Sequence, residues 1–272
     1  MQKDFRILFE EKNVHFHHTL EATPSLRADN RHNHAYYEIY VCFEGGVDFV
    51  VENKTYAVQK NSAMLIPPFT YHCAKLQRAD TPYHRFVINF DKSFIAPALE
   101  DFLTASPTLF AWEQTLFIGD LTLLENAIAS ENKEDALLSC KLFINKMLLQ
   151  FKQSGGELQP TTLESGNRTL QEVLQFINKN IYSPLRIKDI AQALFLSPVY
   201  ISQLFSKNMK IGIMEYVKQK KMLLSQELIR NGTKPVVAAK KLGFDEYSTF
   251  FRLYKKHFKI SPSSEFDMHP KS

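Results

Sequence analysis

The sequence contains little cysteine. Its three cysteines, Cys42, Cys73 and Cys140, are widely spaced and odd in number in a chain of 272 residues. A disulfide framework or a thiolate zinc site needs more cysteines at closer spacing, so the pattern argues against both. We therefore expect reduced, buried thiols.

Long apolar runs are also absent. No stretch approaches the roughly 20 apolar residues needed to cross a bilayer, and no N-terminal segment combines a basic start with an apolar run. The sequence therefore predicts a cytoplasmic protein with no membrane partner.

The net charge of +4 is small, but it is unevenly distributed. Residues 167–272 hold 18 Lys and Arg against 8 Asp and Glu, which gives +10, whereas residues 1–166 hold 15 against 21, which gives −6. An acidic front and a basic back are typical of a sensor joined to a nucleic-acid reader. The alternative is that the uneven charge only aids solubility.

The basic half contains an informative stretch at 235–258. The residues of a short helix are followed by Gly243, which allows a tight turn, and then by a second helix from about Glu246. Phe250 and Tyr254 share one face of that second helix. Helix, glycine turn and basic helix predict a helix-turn-helix, although a helical hairpin with a solvated basic face has the same pattern.

A second copy of this pattern lies upstream, at 187–207. Ser197 is a predicted N-cap and Pro198 a first helical residue, followed by apolar residues at the same spacing. Residues 215–230 predict one amphipathic helix between the two units. Such a helix can hold both recognition helices at the separation of successive turns of one duplex.

Residues 169–266 resemble the DNA-binding domain of AraC/XylS-type transcription regulators. The specific marks are Gly243-Phe244, the run FFRLYKK at 250–256, and the closing Ser261-Pro262. The sequence departs from the family pattern at four positions. Lys210 and Lys259 stand where glycine usually follows each recognition helix, Lys221 stands where arginine is usual, and Ala238 replaces a larger aliphatic residue.

The resemblance implies two groups of DNA contacts. The expected base-edge readers are Val199, Ser202, Gln203, Tyr247, Ser248, Thr249 and Arg252. The expected phosphate-binding side chains are Lys207, Lys255 and Lys256.

The acidic half reads as short antiparallel strands. Five β-branched or aromatic runs between 36 and 90 are separated by Gly, Asn and Pro turns, which predicts a barrel or sandwich. Another alternating run, 14–20, predicts an edge strand. We interpret its His15, His17 and His18 as exposed strand residues rather than metal ligands.

The run from His32 to Tyr40 places five polar or aromatic side chains at period two. His32, His34, Tyr36, Glu38 and Tyr40 are therefore expected on one strand face, toward the barrel interior. Together with His72 they form the predicted ligand site. The tyrosines are expected to supply flat walls with hydroxyl tips, which suit a carbohydrate ring.

The spacing of His32, His34, Glu38 and Gly45 resembles the first motif of the cupin barrel. A weaker second match has His72 and a proline in place, with Asn61 and Phe69 where glycine is usual. This resemblance implies a jelly-roll β-barrel. In metal-holding cupins the counterparts of His32, His34, Glu38 and His72 bind a divalent transition metal such as Fe, Mn, Ni or Zn. The alternative, which we adopt, is a pocket without a cofactor in which these groups bind an organic effector.

Helices are expected after the strands, at 93–104, 121–129 and 133–152. The last has an apolar band too wide for one surface, which favours a homodimer, with burial in its own hairpin as the alternative. The Gly- and Ser-rich segment 153–166 is a predicted linker. The expected domains are thus 1–152 for effector binding and dimerisation, and 167–272 for DNA binding.

The sequence therefore predicts an α+β protein with an N-terminal cupin-like β-barrel followed by helices and a C-terminal all-α double helix-turn-helix domain. We interpret it as a transcription regulator, not an enzyme. Its expected partners are double-stranded DNA, a small-molecule effector such as a sugar and a second copy, with RNA polymerase as a further candidate. The rival hypotheses are a cupin metalloenzyme whose helices serve assembly, and a regulator whose barrel is only a dimerisation scaffold.

Overall fold

The computed structural model describes residues 3–25, 31–52, 54–103, 108–111, 117–154 and 168–268. The chain divides into two compact units, Met1–Glu164 and Ser165–Ser272. Most of the predicted linker 153–166 lies outside the described residues, so its boundaries stay a prediction. None of the described helices combines the length and apolarity that a membrane crossing demands.

The first unit is built from two antiparallel sheets. The strands are β1 Phe5–Glu11, β2 Val14–Glu21, β3 Tyr37–Glu44, β4 Val47–Val51, β5 Lys54–Val58, β6 Ser62–Ile66, β7 His72–Leu76, β8 Tyr83–Phe90 and β9 Thr108–Ala111. Six of them form a sheet in the order β1-β2-β8-β3-β6-β9, and the other three form a sheet in the order β5-β4-β7.

This arrangement confirms the predicted mixed fold but corrects its closure. No hydrogen-bonded ladder between the described strands joins the two sheets, so the β-barrel is open rather than closed. The segment 14–20 is also not an edge strand, because β1 pairs with its outer side along its full length. Charged residues interrupt the alternation in β1, and that hid this strand in the sequence.

Two apolar layers hold the first unit together. One lies between the six-stranded sheet and two helices, α1 Ile118–Ala129 and α2 Lys133–Ser154. The other lies between the two sheets, around Tyr40, Phe49 and Met64. Burial of these large side chains is the main favourable contribution to folding of the unit.

The helix expected at 93–104 is instead two short 3-10 turns, Lys92–Phe94 and Pro97–Phe102. Pro97 lacks the N–H that a continuous helix would need, and it keeps Ala96 extended at ψ 139°. The cysteines match the sequence expectation, because Cys42, Cys73 and Cys140 are buried and carry no disulfide.

The second unit is helical. Its helices are α3 Arg168–Lys179, α4 Ile187–Ala193, α5 Pro198–Met209, α6 Ile213–Arg230, α7 Pro235–Lys241, α8 Tyr247–Phe258 and α9 Pro262–Asp267. The pairs α4–α5 and α7–α8 are the two predicted helix-turn-helix units. As expected, the Ser197 hydroxyl accepts a hydrogen bond from the Tyr200 N–H at 3.1 Å and so caps α5.

Both recognition helices end on a lysine in the left-handed region. Lys210 has φ 58° after α5, and Lys259 has φ 64° after α8. A residue with a Cβ carries a cost of roughly 1–2 kcal/mol in this conformation, whereas glycine does not.

We therefore expect Lys259→Gly to stabilise the second unit by about 1 kcal/mol. Thermal unfolding of the purified chain measures the change. Lys256→Gly is the matched control, because Lys256 lies within α8 and glycine there costs about 1 kcal/mol. Equal destabilisation by both substitutions would contradict the assigned strain at Lys259.

Candidate functional site

The outer face of α8 carries the residues predicted to contact DNA in the second helix-turn-helix. Phe250 and Tyr254 are buried on the opposite face. The exposed side chains are Ser248, Thr249, Arg252, Lys255 and Lys256, while Tyr247 is half-buried. The Arg252 Nε donates to the Ser248 carbonyl at 3.4 Å, so the guanidinium lies along the exposed face.

The first helix-turn-helix presents an equivalent but less charged face on α5. Ile201 and Phe205 are buried, and the predicted contact residues Val199, Ser202, Gln203 and Lys207 are all exposed. The structure thus exposes every predicted DNA contact except Tyr247, which is half-buried. On the exposed face of the second helix-turn-helix, basic side chains predominate. On the exposed face of the first helix-turn-helix, uncharged polar and apolar side chains predominate.

The two helix-turn-helix units are connected by Lys221 of α6. Its buried ammonium donates to the Ser183 carbonyl before α4 and to the Leu242 carbonyl after α7, each at 2.7 Å. Burial lowers the pKa of Lys221 to about 8. At neutral pH the lysine therefore remains largely protonated and can make both charge-assisted hydrogen bonds, which are stronger than neutral ones.

Gly243 completes this junction. Its φ is 69°, and a Cβ there would come within 2.4 Å of Pro184 N and Ser183 C. The turn of the second helix-turn-helix therefore packs directly against the backbone that precedes the first helix-turn-helix. Only glycine fits this position.

The first unit contains a cluster of three histidines and one carboxylate. One ligand atom from each of His32, His34, Glu38 and His72 lies within 4.8 Å of the others. His32 and His34 precede β3 rather than belonging to it, so the predicted strand face does not include them. They reach the cluster because the His32 backbone pairs with His72 in an isolated bridge.

The hydrogen bonds of this cluster orient the imidazoles. Nδ1 of His34 lies 3.0 Å from the Tyr36 carbonyl, and Nδ1 of His72 lies 2.8 Å from the Thr70 carbonyl. A carbonyl only accepts, so both Nδ1 atoms carry the proton. Both Nε2 atoms then point at Glu38 Oε2, at 3.2 Å and 3.4 Å.

If the imidazoles are neutral, the Nε2 lone pairs of His34 and His72 face the lone pairs of Glu38 Oε2 and repel them. Two arrangements avoid this repulsion. Either the imidazoles are protonated, or a cation lies between them and the carboxylate. Burial raises the pKa of Glu38, but the charge of His72 and the hydrogen bond with His34 outweigh burial and hold it well below its usual range. Burial lowers the pKa of His72, whereas the Glu38 carboxylate raises it, and the net shift is upward.

The residues also satisfy the requirements of a metal site. Metal-ligating histidines usually donate their second ring N–H to a carbonyl or carboxylate, which is what His34 and His72 do. Three imidazoles and a carboxylate suit a divalent transition metal. His72 Nε2 is buried and makes no hydrogen bond with the described residues, although it lies 3.4 Å from Glu38 Oε2.

The hydroxyl groups of the predicted tyrosines do not join this cluster. The Tyr36 hydroxyl donates to the Lys12 carbonyl at 2.8 Å. The Tyr40 hydroxyl bonds the Tyr83 hydroxyl at 2.7 Å inside the core between the two sheets. Their predicted roles in ligand binding receive no support from these contacts.

A second polar cluster was missed in the sequence. His18 is buried rather than exposed, because its Nδ1 contacts Glu125 of α1 and its Nε2 lies 2.7 Å from His84 Nε2. Burial, followed by the nearby His18, lowers the pKa of His84 to about 4. The acidic partner lies 107 residues away along the chain, so no local signal could have revealed it.

Comparison with known families matches both units. A model described as the AraC-like ligand binding domain matches residues 19–137, and one described as a helix-turn-helix domain matches residues 190–267. The two segments together span more than half of the chain.

Among curated proteins, the regulatory protein PocR of Salmonella typhimurium is 28% identical over 96 residues, which are 35% of this chain and 32% of that protein. The lactose operon transcription activator of Staphylococcus xylosus is 25% identical over 141 residues, covering 52% of this chain and 50% of that protein. The uncharacterized HTH-type transcriptional regulator YfiF of Bacillus subtilis is 22% identical over 276 residues, covering 93% and 84%. The chain thus spans only a third to a half of the length of the first two of these relatives.

Among solved structures, ToxT from Vibrio cholerae is 16% identical, with 96% of this chain and 100% of that chain covered and a TM-score of 0.39. Nothing about the ligand of this chain follows from so low a score.

Proposed function

The chain belongs to the AraC-type family of transcription regulators, and from that premise we propose that it regulates transcription by binding DNA under control of a small-molecule effector. Membership of this family confirms the expectation that the chain is not an enzyme. The observation that carries the proposal is the pair of helix-turn-helix units, each with its predicted contact residues on the exposed face of its second helix. Because the proposed partner is double-stranded DNA, we also propose that the protein acts in the cytoplasm, with RNA polymerase as a candidate further partner.

The lysines and the arginine of these faces are proposed to contribute differently to DNA binding. Lys207, Lys255 and Lys256 are placed to contact phosphates, which gives affinity that falls steeply with salt. Arg252 is placed to read a base edge in the major groove, where a bidentate arginine pair with guanine contributes about 1–3 kcal/mol of discrimination.

We expect Arg252→Ala to weaken specific DNA binding by about 5- to 150-fold, which corresponds to that range. The measurement is a titration of the purified chain on DNA from upstream of its own gene, at two salt concentrations, against unrelated competitor. Arg168→Ala is the control, since Arg168 is exposed on α3, far in sequence from both recognition helices. Equal losses on specific and unrelated DNA would refute base reading by Arg252, and no binding above competitor by the wild type would refute the proposed function.

The effector is proposed to be a sugar or related metabolite bound by the N-terminal unit. The match to the AraC-like ligand binding domain supports a ligand, and a relative named as a lactose operon transcription activator supports the sugar class. We propose that the effector shifts the population toward an arrangement of two copies that spans two half-sites.

The outward face of α2 supports a homodimer. Leu138, Leu142 and Leu149 are 57%, 63% and 45% exposed. Their spacing, with the position of Asn145 between Leu142 and Leu149, follows the alternating four- and three-residue steps of a coiled-coil seam, although the Asn145 amide itself is bonded to Phe94 and Ala96 of the same chain. A second copy presenting the same face would cover these leucines, since a symmetric pair of copies uses one surface patch twice.

We expect Leu142→Lys to convert the dimer to a monomer of 31.5 kDa, measured by light scattering after size-exclusion chromatography. A buried unpaired lysine in such a seam costs several kcal/mol, which exceeds what one apolar contact contributes. Met268→Lys is the control, because Met268 is similarly exposed, at 60%, but lies in the DNA-binding unit. A monomeric wild type, or a Leu142→Lys variant that remains dimeric, would contradict this interface.

A second candidate property is metal binding by His32, His34, Glu38 and His72. The convergence of four donors within 4.8 Å favours it over a pocket without a cofactor. The metal would supply a Lewis acid that polarises an oxygen atom of the effector. The residues of the chain would hold it and orient the imidazoles through the Tyr36 and Thr70 carbonyls.

A further inference from the structure

The first unit has a groove on the six-stranded sheet, over β1, β2 and β8. Its volume is about 480 Å³, within the range of sites for small metabolites. It is distinct from the histidine cluster, which lies before β3 and at the start of β7. The groove is therefore a second place where a small molecule could bind this unit.

Strand register places two arginines on either side of a hydroxyl. Arg6 of β1 pairs with Thr19 of β2, and Thr19 pairs with Arg85 of β8. Neighbouring strands lie about 4.8 Å apart, and paired residues project to the same face. The two guanidinium groups thus rise from one row across the sheet, with the Thr19 side chain between them, and all three residues line the groove.

The acidic groups of the groove are already engaged. The Glu21 carboxylate accepts from Arg85 Nη1 at 3.2 Å, and the Asp4 carboxylate accepts from the Ala22 N–H at 2.7 Å. Arg6 makes no hydrogen bond or ion pair with the described residues. The lining therefore carries two carboxylates and two guanidinium groups, and Arg6 is the guanidinium to which no carboxylate of the described residues is hydrogen-bonded.

Arg85 is held in place rather than free to swing. Its guanidinium lies 4.0 Å from the centre of the Tyr83 ring, and its side chain is only 18% exposed. A guanidinium fixed by stacking and by one carboxylate keeps other N–H groups available for a ligand. Phe5, Leu20 and Val87 add apolar lining.

From these observations we propose that the groove binds a small organic anion, with its carboxylate or phosphate group between Arg6 and Arg85. Planar guanidinium groups match both kinds of oxyanion through paired hydrogen bonds. The apolar lining takes the carbon skeleton, and the Thr19 hydroxyl can bond an anion oxygen. The inference rests on the proposed function only in naming this ligand an effector, which would then be an acidic rather than a neutral metabolite.

The test compares probes that differ only in the anionic group. Glucuronate and glucose 6-phosphate are each titrated against the full chain beside glucose, by calorimetry at low salt. We expect at least tenfold tighter binding of one anionic probe than of glucose, and the two anionic probes separate carboxylate from phosphate recognition. Comparable binding of all three, or binding of none, overturns the proposal.

The variant Arg6→Gln tests the assigned residue. Arg6 is exposed and unpaired in the described chain, so its loss should leave the fold intact while reducing anion affinity at least tenfold. Arg78→Gln is the control, because Arg78 is an exposed arginine of the same unit that lies outside the groove, paired with Asp80. Wild-type affinity in Arg6→Gln overturns the assignment.

DNA binding is measured on the same samples. Anion binding without specific DNA binding would refute the proposed function and leave the groove assignment standing. Specific DNA binding without preference for the anionic probes would do the reverse.

Discussion

Replacing Gly243 with alanine is expected to destabilise the DNA-binding unit by about 2 to 5 kcal/mol. The left-handed backbone at φ 69° contributes about 1–2 kcal/mol for any residue with a Cβ. Overpacking adds about 1–3 kcal/mol, because the new atom would meet the backbone of Ser183 and Pro184 at 2.4 Å. These backbone atoms cannot rotate away as a flexible side chain could.

The measurement is thermal or denaturant unfolding of the full chain, followed by helical circular dichroism. Gly212→Ala is the matched control, since Gly212 lies in the same unit at φ −70° and a Cβ there would meet nothing within 4 Å. A Gly243→Ala variant as stable as Gly212→Ala would show that the segment at Ser183 moves aside without cost.

The same substitution should also weaken DNA binding beyond its effect on stability. Displacing Ser183 or Leu242 breaks the two hydrogen bonds by which Lys221 connects the helix-turn-helix units. Two recognition helices read one duplex only at a fixed separation. Specific affinity measured below the unfolding temperature should therefore fall, and it should fall less for DNA that contacts one unit alone.

Local sequence signals predicted the DNA-binding unit well. Ser197, Pro198 and Gly243 act within one turn of the chain, so their caps and turns can be inferred without tertiary information. The exposed residues of α5 and α8 then follow from helical periodicity. The contact between Gly243 and Pro184 could not be inferred, because it joins segments almost sixty residues apart.

Four of the departures from the two family patterns lie at positions where the backbone is left-handed. Asn61, Phe69, Lys210 and Lys259 stand where glycine is usual, and their φ values are 62°, 62°, 58° and 64°. The left-handed turn is therefore kept although the residue that adopts it most easily is absent. Surrounding structure imposes the conformation at each site, and strain of this kind is stored rather than relieved.

The N-terminal unit was less predictable because its polar groups meet through pairing. Period two placed His32, His34 and Glu38 on one strand face, yet His32 joins the cluster through its bridge to His72. His18 is buried because Glu125 comes from a helix beyond the sheet. The row of Arg6 and Arg85 depends on β2 lying between β1 and β8, an order that alternation alone does not specify.

Removal of a bound metal is expected to lower the free energy of unfolding of the N-terminal unit by about 3 to 4 kcal/mol. A ligand present at 100 to 1,000 times its dissociation constant stabilises the folded state by about that amount. At this site the Nε2 atoms of His34 and His72 lie close to the Glu38 carboxylate, so their lone pairs repel those of the carboxylate oxygen. A bound divalent cation would remove this repulsion because all three groups would coordinate it.

The experiment uses untagged protein, with metal content measured by mass spectrometry and unfolding followed with added zinc or with a chelator. Glu38→Gln keeps the size of the side chain but removes its charge, so we expect it to lose the metal and most of the response to the chelator. His15→Ala is the control, because His15 is a half-buried histidine of β2 outside the cluster. If the wild type carries no metal and responds to neither zinc nor chelator, the cluster is instead an ion-paired polar network. Glu38→Gln would then destabilise the unit equally in both solutions, because it leaves the imidazoles without their counter-charge.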